Sequence, residues 1–122
     1  MIGSSLAALA ALSFLALGAG AFAAPSALGE NYGLPAEHDV GRGYVRALGS
    51  RDAALGLLIA WCLATNHKRA LAATIGASTL VACCDFLIVV GIRGSAARKS
   101  LAIHGSGVAG LIVVLAALRS ER

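Results

Sequence analysis

The sequence predicts an all-α fold, a four-helix transmembrane bundle of up-down-up-down topology that forms a single integral membrane domain. Of its 122 residues, 58% are hydrophobic and only 13% are charged, whereas a soluble domain is about 45–50% apolar and about 25% charged. A chain this short cannot bury such an excess, because a small domain leaves much of its surface exposed. The apolar runs are continuous rather than alternating, which favours helices over a β-barrel.

Four spans are predicted at about residues 2–24, 44–65, 70–92 and 100–118. A membrane-crossing helix needs about 20 mainly apolar residues, and each run has about that length. The first run carries no charge, and the second is uninterrupted only from Ala53 to Thr65. The third contains Asp85 and the fourth contains His104. Within hydrocarbon every backbone polar group needs an internal partner, so each span should be helical. The predicted location is therefore a membrane, crossed several times.

The segment between the first two spans, residues 25–43, holds both prolines and several glycines, so we expect a connector with turns. The first span ends in Ala21-Phe22-Ala23, which resembles a secretory cleavage site. A signal peptide begins with positive charge, however, and the first Lys or Arg here is Arg42. We therefore favour an uncleaved helix, with a cleaved signal over residues 1–24 as the alternative.

The basic residues near the loops predict an orientation only by a narrow margin. The side of the first and third loops carries Arg42, Arg46, Arg51, Arg93, Arg98 and Lys99, and the opposite side carries Lys68, Arg69, Arg119 and Arg122. The positive-inside rule then favours both termini outside. The net charge of +4 suits anionic lipid headgroups, and the basic residues form no patch of the kind that binds nucleic acid.

Small residues recur at helical spacing, in the rows Asp52–Gly56–Ala60–Ala64, Ala72–Gly76 and Ser106–Gly110. Such rows predict close approach of helix backbones in lipid. Residues 105–110 match the GxGxxG dinucleotide fingerprint, but they open an apolar span and lack the strand and the later acidic residue that the fingerprint needs. We therefore interpret these glycines as packing positions. Cys62, Cys83 and Cys84 form no CxxC and lie in apolar runs, so we expect them to act as small hydrophobes.

Four ionisable residues are the informative ones: Arg51, Asp52, Asp85 and His104. An ionisable side chain within a bilayer usually faces the bundle interior and has a partner. At about 1.5 Å per residue, Arg51 and its neighbour lie roughly 10–12 Å into span two, Asp85 roughly 10 Å from the end of span three, and His104 roughly 6 Å into span four. These three helix ends share one membrane face in an alternating bundle. The four side chains are therefore predicted to converge just under that face.

Two interpretations of this convergence stay open. In the structural one, Arg51 pairs with Asp85 or Asp52, His104 caps the pair, and the cluster fixes helix register. In the functional one, the cluster lines a pocket for a lipophilic molecule, with a carboxylate and an imidazole moving protons. The triplet Glu37-His38-Asp39 is expected in a solvated loop on the same face, where it would supply at most a lid or a weak metal site. No cofactor and no metal are predicted.

The chain resembles a family of small integral membrane proteins known as domain of unknown function 4267. The segments that carry the resemblance are Tyr32-Gly33-Leu34-Pro35, residues 44–57 with the Gly49-Ser50-Arg51-Asp52 step, residues 85–89, and His104-Gly105. The resemblance runs from about Leu9 to Leu118. It implies four membrane helices and points to the same four polar residues. It brings no established reaction; the occurrence of fungal relatives among natural-product biosynthetic genes implies a lipophilic metabolite.

The function we predict is therefore acid/base catalysis in the membrane, by an isomerase or cyclase acting on a lipophilic small molecule. In this hypothesis Asp85 is the general acid or base, His104 its proton partner, Arg51 the anchor for a polar substrate group, and Asp52 the orienting carboxylate. Proton transfer by a positioned side chain needs little other machinery, which suits a small chain. The alternative is a non-catalytic accessory subunit, or a homo-oligomeric carrier in which the cluster is structural.

Overall fold

The computed structural model describes residues 1–121, and every regular element in that range is a helix. The elements are α1 (Ile2–Ala23), α2 (Pro25–Tyr32), α3 (Asp39–Ala64), α4 (Lys68–Arg93), a 3-10 turn (Gly94–Ala97) and α5 (Arg98–Ser120). Arg122, which entered the orientation prediction, lies outside the described residues. The four long helices correspond in order to the four predicted spans.

The four long helices pack side by side in the circular order α1, α3, α4, α5, and every neighbour runs antiparallel. The start of α1 meets the end of α5 at Gly3 and Leu118. Further along, α1 meets α3 near Gly18. Arg51 of α3 is bonded to α4, and α4 turns back into α5 through the 3-10 turn. The all-α, up-down-up-down four-helix bundle is thus confirmed.

The connector between α1 and α3 differs from the prediction, since much of it is helical rather than turn. Pro25 occupies the first turn of α2, where its fixed φ suits a helix start and its missing N–H costs nothing. Gly33 ends α2 in the left-handed conformation, with φ of 100°, which glycine adopts without strain. Asp39 then opens α3, where a negative charge is favourable at the positive end of the helix dipole. The second long helix therefore begins five residues before Tyr44.

Three helical stretches are long and apolar enough to cross a membrane, judged by length and composition: Ile2–Ala23, Asp39–Ala64 and Lys68–Ser120. The last stretch, of 53 residues, contains both α4 and α5, which pack against each other as a hairpin. Large apolar side chains cover the outside of the bundle, among them Leu9, Leu57, Leu80, Leu87 and Ile112. A soluble monomer rarely exposes apolar surface on that scale.

Glycines bring α1 and α3 into backbone contact. A Cβ added at Gly56 would lie 2.9 Å from the Ala11 carbonyl oxygen, and one at Gly18 would lie 2.8 Å from the Ala53 Cβ. The predicted close packing is therefore confirmed at Gly56. It is not found at Gly76 or Gly110, because a Cβ added at either glycine has no atom within 4 Å.

Candidate functional site

A cavity of about 710 Å³ opens between α1 and α5, with α3 and α4 behind it and α2 over one end. Most of its wall is apolar, including Leu6, Ala10, Phe14, Leu48, Val81 and Val114. The polar side chains on the wall include Tyr32, Arg51, Asp52, Asp85 and His104. All four residues predicted from the sequence thus border one space, and Tyr32 joins them.

Arg51 ties α3 to α4 by binding two carboxylates at once. Its Nη1 and Nη2 donate to Asp85 Oδ1 and Oδ2 at 3.1 and 2.8 Å. Its Nε and Nη2 both donate to Asp52 Oδ1, at 3.2 and 3.1 Å. These four bonds leave one of the five N–H donors of the guanidinium for anything else. We call these three residues the Arg51 cluster.

The Arg51 cluster is largely shielded from solvent, and its charges do not balance. The exposed fraction of the side chain is 11% for Asp85, 15% for Asp52 and 31% for Arg51. One guanidinium faces two carboxylates, so the ionised cluster carries a net charge of −1. Such charges are costly in an apolar setting unless they are paired and hydrogen-bonded. The bidentate geometry on Asp85 supplies that pairing.

The two carboxylates of the Arg51 cluster are not equivalent. Both oxygens of Asp85 accept bonds from Arg51. On Asp52 only Oδ1 does so, and Oδ2 has no hydrogen-bond partner within residues 1–121. Since no buried side-chain nitrogen or oxygen in that range lacks a partner, Oδ2 of Asp52 is accessible. Asp52 therefore has one oxygen on the cavity wall that accepts no bond from the described residues, whereas both oxygens of Asp85 already accept from Arg51.

The helix α2 forms a cap over the polar end of the cavity. His104 is held by this cap rather than by the Arg51 cluster. Its Nε2 lies 2.9 Å from the Tyr32 carbonyl oxygen, and because a carbonyl only accepts, Nε2 carries the hydrogen. In a neutral ring Nδ1 is then an acceptor. The rings of His104 and Tyr32 meet edge to face, with centroids 4.6 Å apart. His104 thus bonds to the backbone of α2. It does not cap the Arg–Asp pair as the structural interpretation supposed.

Gly33 fixes the cap by fitting where no side chain can. A Cβ there would lie 2.8 Å from the Ser100 Cβ and 3.0 Å from the Val89 Cγ1, and its φ is positive. The carbonyl of Gly33 also accepts a bond of 3.4 Å from Arg93. The end of α2 is thereby locked onto α4 and α5, which places Tyr32 over the polar end of the cavity.

Tyr32 is the site residue that the sequence predictions missed. Burial, and next the Asp85 carboxylate, raise the pKa of its hydroxyl far above the ordinary value, so the phenol stays protonated near neutral pH. It was hidden in a segment rich in proline and glycine that predicts turns. The available signal was its place in the Tyr32-Gly33-Leu34-Pro35 motif of the resemblance.

The triplet Glu37-His38-Asp39 contributes nothing to the Arg51 cluster. All three side chains are exposed, and Asp39 pairs with Arg42 of the next turn at 2.6 Å. Within residues 1–121 no group of three His, Cys, Asp or Glu side chains is placed to hold a metal ion.

Fold and site together define a class: a small helical bundle, with helices apolar enough to cross a membrane, that encloses a polar cluster in an apolar cavity. The chain belongs to the family described as domain of unknown function (DUF4267), whose model matches residues 11–119. Neither the curated proteins nor the solved structures contain a match to it.

Proposed function

We propose that this protein is a multi-pass integral membrane protein whose cavity is an acid/base active site for a lipophilic small molecule. The observation that carries the proposal is the free Oδ2 of Asp52, beside a phenol and an imidazole at one end of an apolar cavity. Ligand pockets generally combine an apolar wall with a few converging polar groups and volumes of about 300–1,000 Å³. The reaction class we favour is isomerisation or cyclisation.

The geometry leads us to exchange the roles that the sequence suggested for the two carboxylates. Asp52 is the proton acceptor, because its Oδ2 is accessible and accepts no bond within the described residues. Asp85 and Arg51 are positioning residues, since both oxygens of Asp85 accept bonds from Arg51 and four of the five donors of Arg51 are engaged by the two carboxylates. Arg51 therefore has little left with which to anchor a substrate.

In the isomerisation that we favour, Asp52 removes a proton from the carbon beside a substrate carbonyl. The electron pair of that C–H bond moves onto the carbonyl oxygen, which accepts a hydrogen bond from Tyr32. Where a carbon–carbon double bond adjoins that carbon, the resulting dienolate takes the proton from Asp52 at the far end of the double bond. The double bond thereby moves into conjugation with the carbonyl, and Asp52 is again ionised. His104 orders Tyr32 through its backbone carbonyl. Proton transfer of this kind contributes about 10²–10⁴-fold to a rate.

The proposal is tested by deleting the gene, profiling lipophilic metabolites, and restoring single variants. We expect one precursor to accumulate on deletion and to persist with Asp52→Asn, although this variant should extract and purify like the wild type. The matched control is Asp39→Asn on the same helix, whose carboxylate is exposed and should be dispensable. Full restoration by Asp52→Asn would refute acid/base catalysis at this residue.

A non-catalytic accessory or carrier is the second candidate, because Arg51 also does what a structural cluster would do by joining α3 to α4. A carrier of this size would need several copies to enclose a route. The discriminating result is the behaviour of Asp52→Asn. If the variant is lost from the membrane while Asp39→Asn is not, the cluster is structural. If it stays folded and inactive, the catalytic proposal stands.

A further inference from the structure

We propose that the ligand of this cavity is a lipophilic amine in its protonated form, which reaches the Arg51 cluster sideways from the bilayer between α1 and α5. This rests on the proposed function in so far as it names the substrate class of the same site. Two independent sets of observations support it: the shape of the gap between the two helices, and the charge at the inner end of the cavity.

The gap between α1 and α5 is closed at one end only. Near their termini the backbones touch, since a Cβ at Gly3 would lie 3.0 Å from the Leu118 nitrogen. Towards the middle of the bundle the helices part, and a Cβ at Gly107 or Gly110 would meet no atom within 4 Å. Both glycines line the cavity and are exposed. The cavity therefore opens sideways along α5.

The opposite edge of the gap is formed by α1. Leu9 and Ser13 line the cavity and are also exposed, Leu9 with 61% of its surface accessible. They lie near the middle of a 22-residue helix, at the depth that hydrocarbon would occupy if α1 crosses a bilayer. A molecule dissolved in the bilayer can thus reach the cavity without passing through water.

A second rim lies at the α2 end, where Asn31, Pro35 and Tyr44 line the cavity and are exposed. This rim would admit a ligand from the aqueous side. The two routes differ in their lining residues, so they can be separated by substitution.

The charge at the inner end of the cavity selects the head group. The Arg51 cluster carries one excess negative charge, its guanidinium has four donors already engaged, and the accessible oxygen of Asp52 is a carboxylate acceptor. A carboxylate head would meet like charge, and the Arg51 guanidinium has only one donor left for it. A protonated amine would supply the positive charge that the Arg51 cluster as a whole lacks, and this attraction gains strength where water is scarce. The apolar wall then accepts the hydrocarbon body.

The head-group arm of the test uses dodecylamine, dodecanol and dodecanoate as isotope-labelled probes. The full chain is placed in phosphatidylcholine nanodiscs near neutral pH, and binding is measured in excess of empty nanodiscs. We expect dodecylamine to bind about tenfold or more tighter than the other two probes, a difference of about 1.4 kcal/mol per factor of ten. Asp52→Asn should abolish this preference, and Asp39→Asn should keep it. Equal binding of the three probes, or tighter binding of dodecanoate, would overturn the amine assignment.

The route arm measures how fast dodecylamine associates from the bilayer. Gly107→Leu combined with Gly110→Leu should fill the gap and slow association about tenfold or more. The control is Gly76→Leu on α4, which also adds a side chain into open space but lies away from the cavity. Association at the wild-type rate in the double variant would refute the sideways route and favour the rim near Tyr44.

Both arms are independent of turnover, so their failure can be told apart from failure of the proposed function. If dodecylamine shows no preference while Asp52→Asn still blocks the metabolic step, catalysis stands and the amine class is wrong. If the amine binds as expected but Asp52→Asn restores the deletion strain, the site binds amines without acting on them.

Discussion

The charge count of the Arg51 cluster makes an asymmetric prediction for the stability of the bundle. Removing the cation by Arg51→Met leaves two carboxylates, with a net charge of −2 and no partner between them. Neutralising one carboxylate by Asp85→Asn leaves a single ion pair, Arg51 with Asp52, and a net charge of zero. Each substitution removes the charge–charge interaction between Arg51 of α3 and Asp85 of α4. We nevertheless expect Arg51→Met to be the more damaging.

The size of the effect follows from burial. Stripping one partner from a buried ion pair costs about 3–5 kcal/mol, and the 31% exposure of the Arg51 side chain places Arg51→Met near the lower end of this range. Asp85→Asn keeps the shape and one acceptor oxygen, so it loses mainly the charge assistance of its bonds, about 1–2 kcal/mol. The expected gap between the two variants is therefore about 1–2 kcal/mol.

The assay is reversible unfolding in mixed micelles with increasing sodium dodecyl sulfate, followed by circular dichroism. Arg42→Met is the matched control, because the Asp39 side chain that Arg42 pairs with is 98% exposed and such pairs contribute about 0–1 kcal/mol. The double variant with Arg51→Met and Asp85→Asn should be less destabilised than the sum of the single ones. If Asp85→Asn costs as much free energy as Arg51→Met, the cluster does not carry the excess negative charge.

Two further predictions concern packing and pH. Gly56→Ala should lower the free energy of unfolding by about 1–3 kcal/mol, because its Cβ would lie 2.9 Å from the Ala11 carbonyl oxygen. Its control is Gly76→Ala, whose Cβ would meet no atom within 4 Å and which should be neutral or up to about 1 kcal/mol stabilising. The micelle unfolding assay compares the two variants. Folding raises the pKa of Tyr32, so stability is complete below the unfolded-state pKa of about 10 and falls as pH rises past it. Tyr32→Phe should remove that alkaline loss in unfolding measured from about pH 8 to 11, and an unchanged pH dependence would contradict the burial of the Tyr32 hydroxyl, the main cause of its raised pKa.

The meeting of Arg51 and Asp85, 34 positions apart in the chain, was predictable from two simple quantities. The rise per residue gives the depth of each side chain, and alternating direction says which helix ends share a face. Rotation about each helix axis is not fixed by either quantity. The sequence therefore predicted the neighbourhood correctly and left open which oxygen of which carboxylate is free.

Tyr32 and the glycines show where sequence patterns are insufficient. The cap that carries Tyr32 is a short helix of eight residues set by Pro25 and Gly33, the residue types that also mark turns. Gly56 and Gly110 both stand in i, i+4 rows of small residues, but one touches a neighbouring backbone and the other borders empty space. A packing glycine differs from a glycine that borders a cavity only in which residues lie next to it in the fold. The spacing of small residues along one helix does not give that information.

The cavity follows from how α1 is shared between its two neighbours. Close backbone contacts at Gly18 and Gly56 hold α1 against α3, while the close backbone contact of α1 with α5 lies at Gly3, near one end of the helix. At the other end α5 is bound to the cap through Gly33 and Ser100, so α5 stays with α4 and α2. The gap between α1 and α5 thus lies beside a stretch of α1 that is held by α3. A substitution that loosens the α1–α3 contact should therefore change ligand binding as well as stability.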